Sequence, residues 1–362
     1  VSATPNRQAF QAPGADPDGP WRTLTWAETG VEVVDLAAGL LSLGIEVEDR
    51  VAIASSTRLE WVLADLAIMC AGGATTTIYP TTKQDDVTYI LTDSGSVVVF
   101  AENDEQIAKL TGVELPALRA IVTFDGSADG DKVLTMDQLA ERGRAYLAEH
   151  PGAVMERVDA LQPENLATII YTSGTTGKPK GARLVHDNWT YEGAAADAIH
   201  ILQPDDVQYL WLPLSHVFGK VLLAIQMTVG FATAVDGNLD RIVANMQKVR
   251  PTFMAGAPRI FEKVRAKVTL TAQGGGGIKA KIFDWAFKVG IRRTRLLQAG
   301  APVPGALKVQ YQLADKLVFA KIQHLVGGRA KFFISGSAPL STDVAEWFDA
   351  AGVPVLEGYG LT

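Results

Sequence analysis

The sequence predicts an α/β protein built from two doubly wound subdomains, each with a parallel or mixed sheet and flanking helices. Short runs of β-branched and apolar residues alternate with segments of helical length and spacing. This alternation occurs twice, once before and once after a glycine-rich run at residues 171–181. With 362 residues, the chain is long enough for two domain-sized units.

The first series of elements predicts one sheet with helices between its strands. The predicted strands are residues 50–55, 75–79 and 97–101, and the predicted helices are 59–71 and 83–94. The second series predicts strands at 166–171, 181–185, 207–212, 232–235, 252–255, 331–335 and 353–356. Its predicted helices begin near Trp189, capped by Asp187 or Asn188, and cover 216–229, 239–249 and 278–326, with a break at 301–305.

These elements divide the chain into approximate halves, 21–165 and 166–362, with a helix-rich insertion at 264–330. Within the insertion, the four consecutive glycines from Gly274 to Gly277 predict a mobile surface loop.

Composition and charge limit the possible environments and partners. The net charge of −7 argues against nucleic acid as a partner. The single cysteine, Cys70, excludes an internal disulfide and predicts a reducing, cytoplasmic location. The two long apolar regions are interrupted by Asp65 and by His216, Lys220 and Gln226, which predicts buried helices and no membrane span. The polar start carries no secretory signal, and we expect that the natural beginning is missing.

The run YTSGTTGKPKG at 171–181 has the chemistry of a polyphosphate-binding loop. It contains four aliphatic hydroxyls, three glycines and two lysines, which together offer backbone amides, hydroxyl donors and positive charge. It differs from the P-loop of NTPases, because Thr172 stands where that motif has glycine and Pro179 follows Lys178. An exposed linker would explain the hydroxyls, but not two lysines after a buried strand. We expect a hairpin loop between two strands, away from any helix N-terminus.

Five motifs in order resemble the acyl-adenylate-forming (AMP-binding) superfamily over nearly the whole chain. They are YTSGTTGKPKG (171–181), LPLSHVF (212–218), GAPRIFEK (256–263), SGSAPL (335–340) and EGYGLT (357–362). The third motif and the helix-rich stretch after it look most like the branch of long-chain fatty acid:CoA ligases.

The resemblance implies an enzyme that uses ATP and Mg²⁺ to convert a fatty acid to acyl-AMP and then transfers the acyl group to CoA. It assigns Lys178, His216 and Thr362 to catalysis and Thr172 to magnesium. The residues that it assigns to the nucleotide are Thr172, Ser173, Gly174, Thr175, Thr176, Gly177, Lys178, Gly336, Ser337, Ala338, Glu357, Gly358, Tyr359 and Thr362.

Two histidines need separate interpretation. His216 begins an apolar helix just past a strand end, where a capping or packing role is the ordinary expectation. The resemblance instead implies that it orients the acyl carboxylate, with Phe218 gating or lining the acyl tunnel or lying in the core. His186 is predicted to be a structural partner of Asp187 or Asn188. No spacing among the histidines indicates a zinc or iron site.

The segment 259–295 is strongly basic, with ten lysines and arginines against Glu262 and Asp284. A solvated helix face is the default interpretation. The functional alternatives are docking of the CoA phosphates or contact with anionic lipid, and we favour peripheral contact at the inner face of the membrane because the substrate is insoluble in water.

The resemblance also implies that groups beyond Thr362 are missing, among them a glutamate for magnesium and a small domain with the adenylation lysine. We therefore expect an incomplete large N-terminal domain with negligible adenylation activity alone. Two alternatives remain, namely an acyl-AMP ligase that loads a carrier protein and a nucleotide-binding or fatty-acid-binding module without turnover.

Overall fold

A computed structural model describes residues 4–14, 16, 19–172, 177–274 and 276–362 of the chain. It confirms the α/β prediction, with strands and helices interspersed along the chain. The strands are β1 (Gln8–Ala12), β2 (Arg22–Thr25), β3 (Arg50–Ala54), β4 (Ala74–Ile78), β5 (Val98–Ala101), β6 (Ala120–Thr123), β7 (Val133–Thr135), β8 (Leu166–Thr172), β9 (Lys180–Val185), β10 (Val207–Leu210), β11 (Ala232–Val235), β12 (Phe253–Gly256), β13 (Phe332–Ser335) and β14 (Val355–Glu357).

The helices lie between and after these strands. They are α1 (Trp26–Ser42), α2 (Leu59–Cys70), α3 (Gln84–Ser94), α4 (Asp104–Ala108), α5 (Met136–Glu149), α6 (Ala153–Ala160), α7 (His186–Ala198), α8 (Val217–Val229), α9 (Ile242–Val249), α10 (Pro258–Gly274), α11 (Gly277–Gln298), α12 (Gly305–Ala314), α13 (Ala320–Leu325) and α14 (Thr342–Ala350). A 3₁₀ turn (Leu239–Arg241) precedes α9, and a π-helical turn (Asp315–Phe319) precedes α13.

The chain forms two compact units. The first contains Val1–Pro204, Trp211–Gly237 and Thr362, and the second contains Asp205–Leu210 and Asn238–Leu361. This division differs from the predicted halves, 21–165 and 166–362. The reason is that β8 pairs with β4 through Thr77 and Ile170, so the segment after residue 165 completes the sheet of the first unit.

The first unit contains a seven-stranded sheet in the order β7-β6-β5-β3-β4-β8-β9. Its strands pair in parallel except for β9, which runs antiparallel to β8. The central strands are buried on both faces, as their continuous apolar character requires. In the same unit, β1 pairs in parallel with β11 and antiparallel with β2. Thr25 ends β2 and caps α1 through a reciprocal capping box with Glu28.

The second unit contains four parallel strands, β10, β12, β13 and β14, which pair in that order. Its core is rich in phenylalanine. Phe261 on α10 packs edge-on against Phe348 on α14, with ring centroids 5.6 Å apart, and both contact Phe333 of β13. These contacts fix α10 and α14 against the sheet strands.

The helices predicted in this part of the chain are present, with shifted boundaries. The predicted helix at 239–249 starts with the 3₁₀ turn, and its α-helical part begins at Ile242. The glycine run interrupts the helices as predicted, because α10 ends at Gly274 and α11 begins at Gly277. The predicted mobility of this run stays a prediction, and Gly275 lies outside the described residues. Across the described ranges, no helix has the length and apolar character that crossing a bilayer requires.

Candidate functional site

The glycine-rich run joins β8 and β9, which confirms the predicted hairpin. Tyr171 pairs with Gly181 and Thr172 pairs with Lys180 at the base of the loop. The close pairing explains why residue 181 is glycine, since a Cβ there would lie 2.8 Å from Cγ2 of Ile169. Four of the predicted nucleotide-binding residues lie outside the described residues, namely Ser173, Gly174, Thr175 and Thr176.

Helix α3 supports the base of this loop. The Tyr171 hydroxyl donates to Oδ2 of Asp93 at 2.7 Å, and the Tyr89 hydroxyl donates to the carbonyl of Pro179 at 3.2 Å. Burial and the neighbouring Asp93 carboxylate raise the pKa of Tyr171, so its phenol stays protonated and remains a donor. The two tyrosine rings meet edge to face, with centroids 6.4 Å apart.

Lys178 is exposed, and its Nζ lies 4.7 Å from the centroid of the Tyr89 ring. A cation–π contact at an exposed position contributes only about 0.5–1 kcal/mol, so this ammonium group remains able to move to an anion. Among the described residues it has no ion-pair partner. The preceding Gly177 has φ of 118°, a conformation that favours glycine. Thr172 is exposed at the end of β8.

His216 caps helix α8. Its Nδ1 accepts a hydrogen bond from the backbone N–H of Phe218 at 3.1 Å, and its carbonyl accepts from the N–H groups of Gly219 and Lys220. Because Nδ1 is an acceptor, the neutral ring carries its proton on Nε2. Burial lowers the pKa of His216, which favours the neutral form at pH 7. The capping role expected of a lone histidine at this position is therefore confirmed.

The segment before His216 is tied to the ends of strands in the first unit. The Thr77 hydroxyl donates to the carbonyl of Ser215 at 3.0 Å. The Thr57 hydroxyl donates to the carbonyl of Leu212 at 2.7 Å and accepts from the Leu214 N–H at 3.1 Å. Within the segment itself, Gly219 lies close to the backbone of Pro213. A Cβ at Gly219 would lie 2.3 Å from the carbonyl oxygen of Pro213.

These bonds place His216 and the phosphate loop at the same edge of one sheet. Thr77 lies at the carboxyl end of β4 and faces Ile170 of β8 in the parallel register. The loop leaves the carboxyl end of β8, and the His216 segment is bound to the carboxyl end of β4. Parallel α/β sheets bind their ligands at this edge. Two parts of the predicted site, separated by more than thirty residues in sequence, are thus brought together.

A buried ion pair lies behind this edge, and sequence reasoning missed it. Lys220 Nζ donates to Oδ1 of Asp65 at 2.7 Å and to Oγ1 of Thr168 at 2.8 Å, and Thr75 donates to the same carboxylate oxygen at 2.6 Å. Lys220 is 3% exposed and Asp65 is 1% exposed. Burial lowers the pKa of Lys220, and the Asp65 carboxylate opposes this effect. The signal in the sequence was one acidic and one basic residue, each within an apolar helix.

His186 adjoins this cluster. Its Nε2 is buried without a hydrogen-bond partner among the described residues, and burial together with the Lys220 charge lowers its pKa. The expected partnership with Asp187 or Asn188 was wrong. Helix α7 begins at His186 itself, so neither Asp187 nor Asn188 precedes the helix as a cap, and Oδ1 of Asn188 accepts from the backbone N–H of Val185 at 2.8 Å.

In the second unit, the two segments predicted to meet the adenine ring are bound to each other. The N–H of Gly358 donates to the carbonyl of Ser335 at 2.8 Å, and the N–H of Leu340 donates to Oε1 of Glu357 at 2.9 Å. Gly336 is buried, and its N–H donates to the carbonyl of Gly256. The Glu357 side chain therefore shapes the turn that follows β13, a role that sequence reasoning did not assign to it.

The remaining residues of this group are accessible. Ser337 and Ala338 are exposed on the turn, and Ser337 has φ of 69°, which only a minority of non-glycine residues adopt. Tyr359 is 94% exposed, and Thr362 at the end of the chain is exposed as well. Their assignment to nucleotide stays a prediction.

Magnesium fits this site as an ion that arrives with the nucleotide. The described part of the chain holds no group of three or more His, Cys, Asp or Glu that could bind a metal. Mg²⁺ commonly keeps several waters and binds through substrate phosphates with few protein ligands. One exposed hydroxyl, that of Thr172, is compatible with such binding.

Comparison with known proteins gives consistent results. The model of the AMP-binding enzyme family matches residues 1–362. The long-chain-fatty-acid CoA ligase FadD15 of Mycobacterium bovis is 34% identical over 354 residues, which cover 95% of this chain and 56% of that protein. Fatty acyl-CoA synthetase A of Dictyostelium discoideum is 30% identical, with coverage of 95% and 50%. The chain thus spans about half the length of the curated relatives that it matches.

Solved structures share the fold at lower identity. The N-terminal domain of FACL13 from Mycobacterium tuberculosis, in an inhibitor-bound crystal structure, has a TM-score of 0.69 at 20% identity and covers 99% of this chain and 73% of that one. The anthranilate CoA ligase AuaEII, in complex with anthranoyl-AMP, has a TM-score of 0.68 at 18% identity and covers 100% and 57%.

Proposed function

The chain belongs to the AMP-binding enzyme family, and from this premise we propose that it provides the nucleotide-binding and acyl-binding part of a long-chain fatty acid:CoA ligase. The reaction has two steps. A carboxylate oxygen of the fatty acid attacks the α-phosphorus of ATP, and pyrophosphate leaves. The CoA thiolate then attacks the acyl carbonyl, the bond to the phosphate oxygen breaks, and AMP leaves.

The first step joins two anions, so the site has to offset their repulsion and align them. Positioning and positive charge are therefore expected to supply most of the rate enhancement. The observation that supports the proposal most is the placement of the phosphate loop and His216 at the carboxyl edge of one parallel sheet.

We assign the β- and γ-phosphates of ATP to the loop. Lys178 is exposed, and within the described ranges its ammonium group contacts the Tyr89 ring and forms no ion pair, so its charge is free to bind the leaving pyrophosphate. The exposed Thr172 hydroxyl contributes a ligand for the Mg²⁺ that accompanies the phosphates.

We assign the acyl carboxylate to His216. With Nδ1 occupied by the Phe218 N–H, the proton on Nε2 is available to donate to a carboxylate oxygen. A neutral imidazole in this role orients the nucleophile without neutralising it. The cap bond also fixes the ring, which limits the number of positions that the carboxylate can take.

We assign the adenine ring to the second unit. The turn after β13 exposes the small residues Ser337 and Ala338, which permit close approach of a flat ring. Tyr359 is exposed and has no packing role that would compete with stacking on the base. Thr362 is assigned to the α-phosphate.

The names of the relatives, which are long-chain fatty acid and fatty acyl CoA ligases and synthetases, support the proposed acyl and acceptor classes. Two alternatives give different products. A ligase that loads a carrier protein would form acyl-AMP without transfer to CoA, and a binding module would retain ATP without turnover.

Incubation of the complete ligase that contains this part with ATP, Mg²⁺, a C16 fatty acid and CoA, followed by mass spectrometry, tests the proposal, since this part alone is expected to have negligible adenylation activity. Palmitoyl-CoA and AMP in equal amounts are the expected products. Accumulation of acyl-AMP in the presence of CoA would support the carrier-protein alternative. Binding of ATP without either product would support the binding module.

We also propose peripheral contact with anionic lipid at the inner face of the membrane, through the basic segment at 259–295. Two of its ten basic residues are engaged within the second unit, since Arg295 pairs with Glu346 and Arg293 stacks on Tyr311. Near the break between α10 and α11, Leu270 is 71% exposed and Ile278 is 77% exposed. Clustered lysines beside exposed apolar residues suit an anionic bilayer surface, where each basic residue contributes about 1 kcal/mol.

Co-sedimentation with vesicles that contain an anionic phospholipid tests this contact. The double substitution Leu270→Glu and Ile278→Glu is expected to abolish binding. Val309→Glu is a matched control, because Val309 is 66% exposed on α12 of the same unit. Equal binding by both variants, or indifference to anionic lipid, would refute membrane contact.

A further inference from the structure

The second unit contains an apolar cavity of about 640 Å³ that none of the predicted site residues lines. It lies among α9, α10, α11 and the π-helical turn with α13. Its wall includes Met246, Val268, Phe283 and Ile322. This volume falls within the range of about 300–1,000 Å³ that is typical of small-molecule sites.

Three lysines, one from each of three helices, also line the cavity. They are Lys267 on α10, Lys279 on α11 and Lys321 on α13, and all three are exposed. Within the described parts of the chain, none of these ammonium groups has an ion-pair or hydrogen-bond partner. The nearby acidic residue of α11, Asp284, instead accepts from the side chain of Gln273 at 3.2 Å. The positive charge at the cavity is therefore not balanced by local carboxylates.

The combination of an apolar interior and unpaired cationic groups defines the ligand. A neutral apolar molecule would leave the lysines unused, and a small polar anion would leave the apolar wall exposed to water. We propose that this cavity binds a single-chain amphiphile with an anionic head group, the alkyl chain lying against Val268 and Phe283 and the head bound by Lys267, Lys279 and Lys321. None of the residues that line this cavity belongs to the phosphate loop or is His216.

Chain length and head charge contribute separately to binding in this arrangement. Each CH₂ group that enters the cavity strengthens binding about 4-fold, as expected from the burial of apolar surface. The attraction between the lysines and an anionic head group weakens steeply with added salt, because the lysines are exposed. A ligand without the anionic head group lacks this attraction. A neutral head group on the same chain is therefore expected to bind at least about 10-fold more weakly at low salt.

Photolabelling with an alkyl phosphate that carries a diazirine near the chain terminus tests the site directly. The probe is used below its critical micelle concentration and without vesicles, so membrane contact does not contribute. We expect the labelled peptides to come from α10, α11 and α13. Dodecyl phosphate is expected to compete, and dodecyl maltoside is expected to compete much less. The readout is the position of the label, so it does not depend on acyl-CoA formation.

Two pairs of variants test the lining. Lys279→Glu is expected to reduce labelling about 10-fold, and its neighbour Lys281→Glu, an exposed residue of the same helix outside the cavity, less than about 2-fold. Ala272→Trp fills the cavity and is expected to abolish labelling, whereas Ala266→Trp on the exposed side of α10 is not. Thermal unfolding of each variant verifies that it is folded.

Three results would overturn the proposal. Labelling spread over the chain, or unchanged in folded Ala272→Trp, would show that the cavity is not the site. Equal reduction by Lys279→Glu and Lys281→Glu would show only general charge attraction. Equal competition by dodecyl maltoside and dodecyl phosphate would show that the cavity does not select an anionic head group.

Discussion

Lys220 Nζ lies 2.7 Å from Oδ1 of Asp65, and both side chains are buried in the first unit. The pair joins α8 to α2, and through Thr168 it also joins β8. The indole rings of Trp61 and Trp189 lie 5.9 Å and 5.1 Å from the same ammonium group. Helix α8 begins one turn before Lys220 at the His216 cap, so this buried cluster holds the helix that carries the histidine.

Replacing Lys220 alone is expected to be strongly destabilising. Lys220→Met leaves the Asp65 carboxylate buried with the Thr75 hydroxyl as its one partner among the described residues, which costs about 3–5 kcal/mol of unfolding free energy. The double variant Asp65→Asn with Lys220→Met removes both charges and is expected to recover much of that loss. Urea denaturation of the two single variants and the double variant measures this coupling, with exposed Lys83→Met as the control. A loss below about 1 kcal/mol for Lys220→Met would contradict it.

Acid is expected to destabilise the protein through two histidines. Burial lowers the pKa values of His186 and His216 in the folded state below the usual 6.5. Between the folded-state pKa and 6.5, the unfolded chain therefore binds more protons than the folded chain. The contribution of the neutral histidines to the free energy of unfolding is fully present above pH 6.5 and is lost as the pH falls toward the folded-state pKa. His186→Phe is expected to flatten the pH dependence of unfolding as the pH falls below the usual pKa of histidine. An unchanged slope would show that His186 does not contribute.

Substitutions of His216 separate its capping role from its proposed catalytic role. His216→Ala loses the bond to the Phe218 N–H and is expected to cost about 0.5–2 kcal/mol of stability. His216→Asn keeps a good capping residue and is expected to retain stability within about 0.5 kcal/mol. Both remove the imidazole, so both are expected to lower acyl-adenylate formation by the complete ligase, measured by ATP–pyrophosphate exchange. Normal exchange by folded His216→Asn would refute the catalytic assignment.

Lys178 is expected to dominate the affinity for ATP. Lys178→Ala removes a charge-assisted contact to phosphate and is expected to weaken binding about 10-fold to 100-fold, with a shallower dependence on salt. Lys180→Ala is the matched control, because Lys180 pairs with Thr172 in the hairpin and is expected to matter less. Calorimetric titration with a non-hydrolysable ATP analogue measures both. Equal losses of ATP affinity in Lys178→Ala and Lys180→Ala would indicate general charge attraction and not a specific contact of Lys178 with phosphate.

The turn after β13 holds Ser337 at φ of 69°. A left-handed conformation costs a non-glycine residue about 1–2 kcal/mol, so Ser337→Gly is expected to stabilise the protein by about 0.5–1 kcal/mol after the entropy of glycine is included. Ser337→Val is expected to destabilise it, because a β-branched side chain is least tolerated there. Thermal unfolding of the two variants measures the direction of each change in stability. A loss of stability in Ser337→Gly would contradict this account.

Much of the fold was predictable because the information is local. Apolar runs of the right length located β3, β4, β8 and β11 to within one residue at each end, and the glycine run marked the break between α10 and α11. The boundary between the units was not predictable in this way, since it depends on the pairing of β8 with β4, more than ninety residues away. The His186 prediction failed for a similar reason. A helix start depends on hydrogen bonds such as that of Asn188 to Val185, which several adjacent polar residues are able to make.

The glycine, hydroxyl and lysine content of residues 171–181 was enough to predict polyphosphate binding and a hairpin between two strands, because phosphate chemistry and turn geometry are properties of consecutive residues. The same residues did not reveal that Tyr89 and Asp93 support the loop or that Thr77 brings His216 to its sheet edge. They also did not reveal that Lys220 and Asp65 neutralise each other. Those relationships join elements that are distant in the chain, and burial and hydrogen bonding select them only when the sheet has formed.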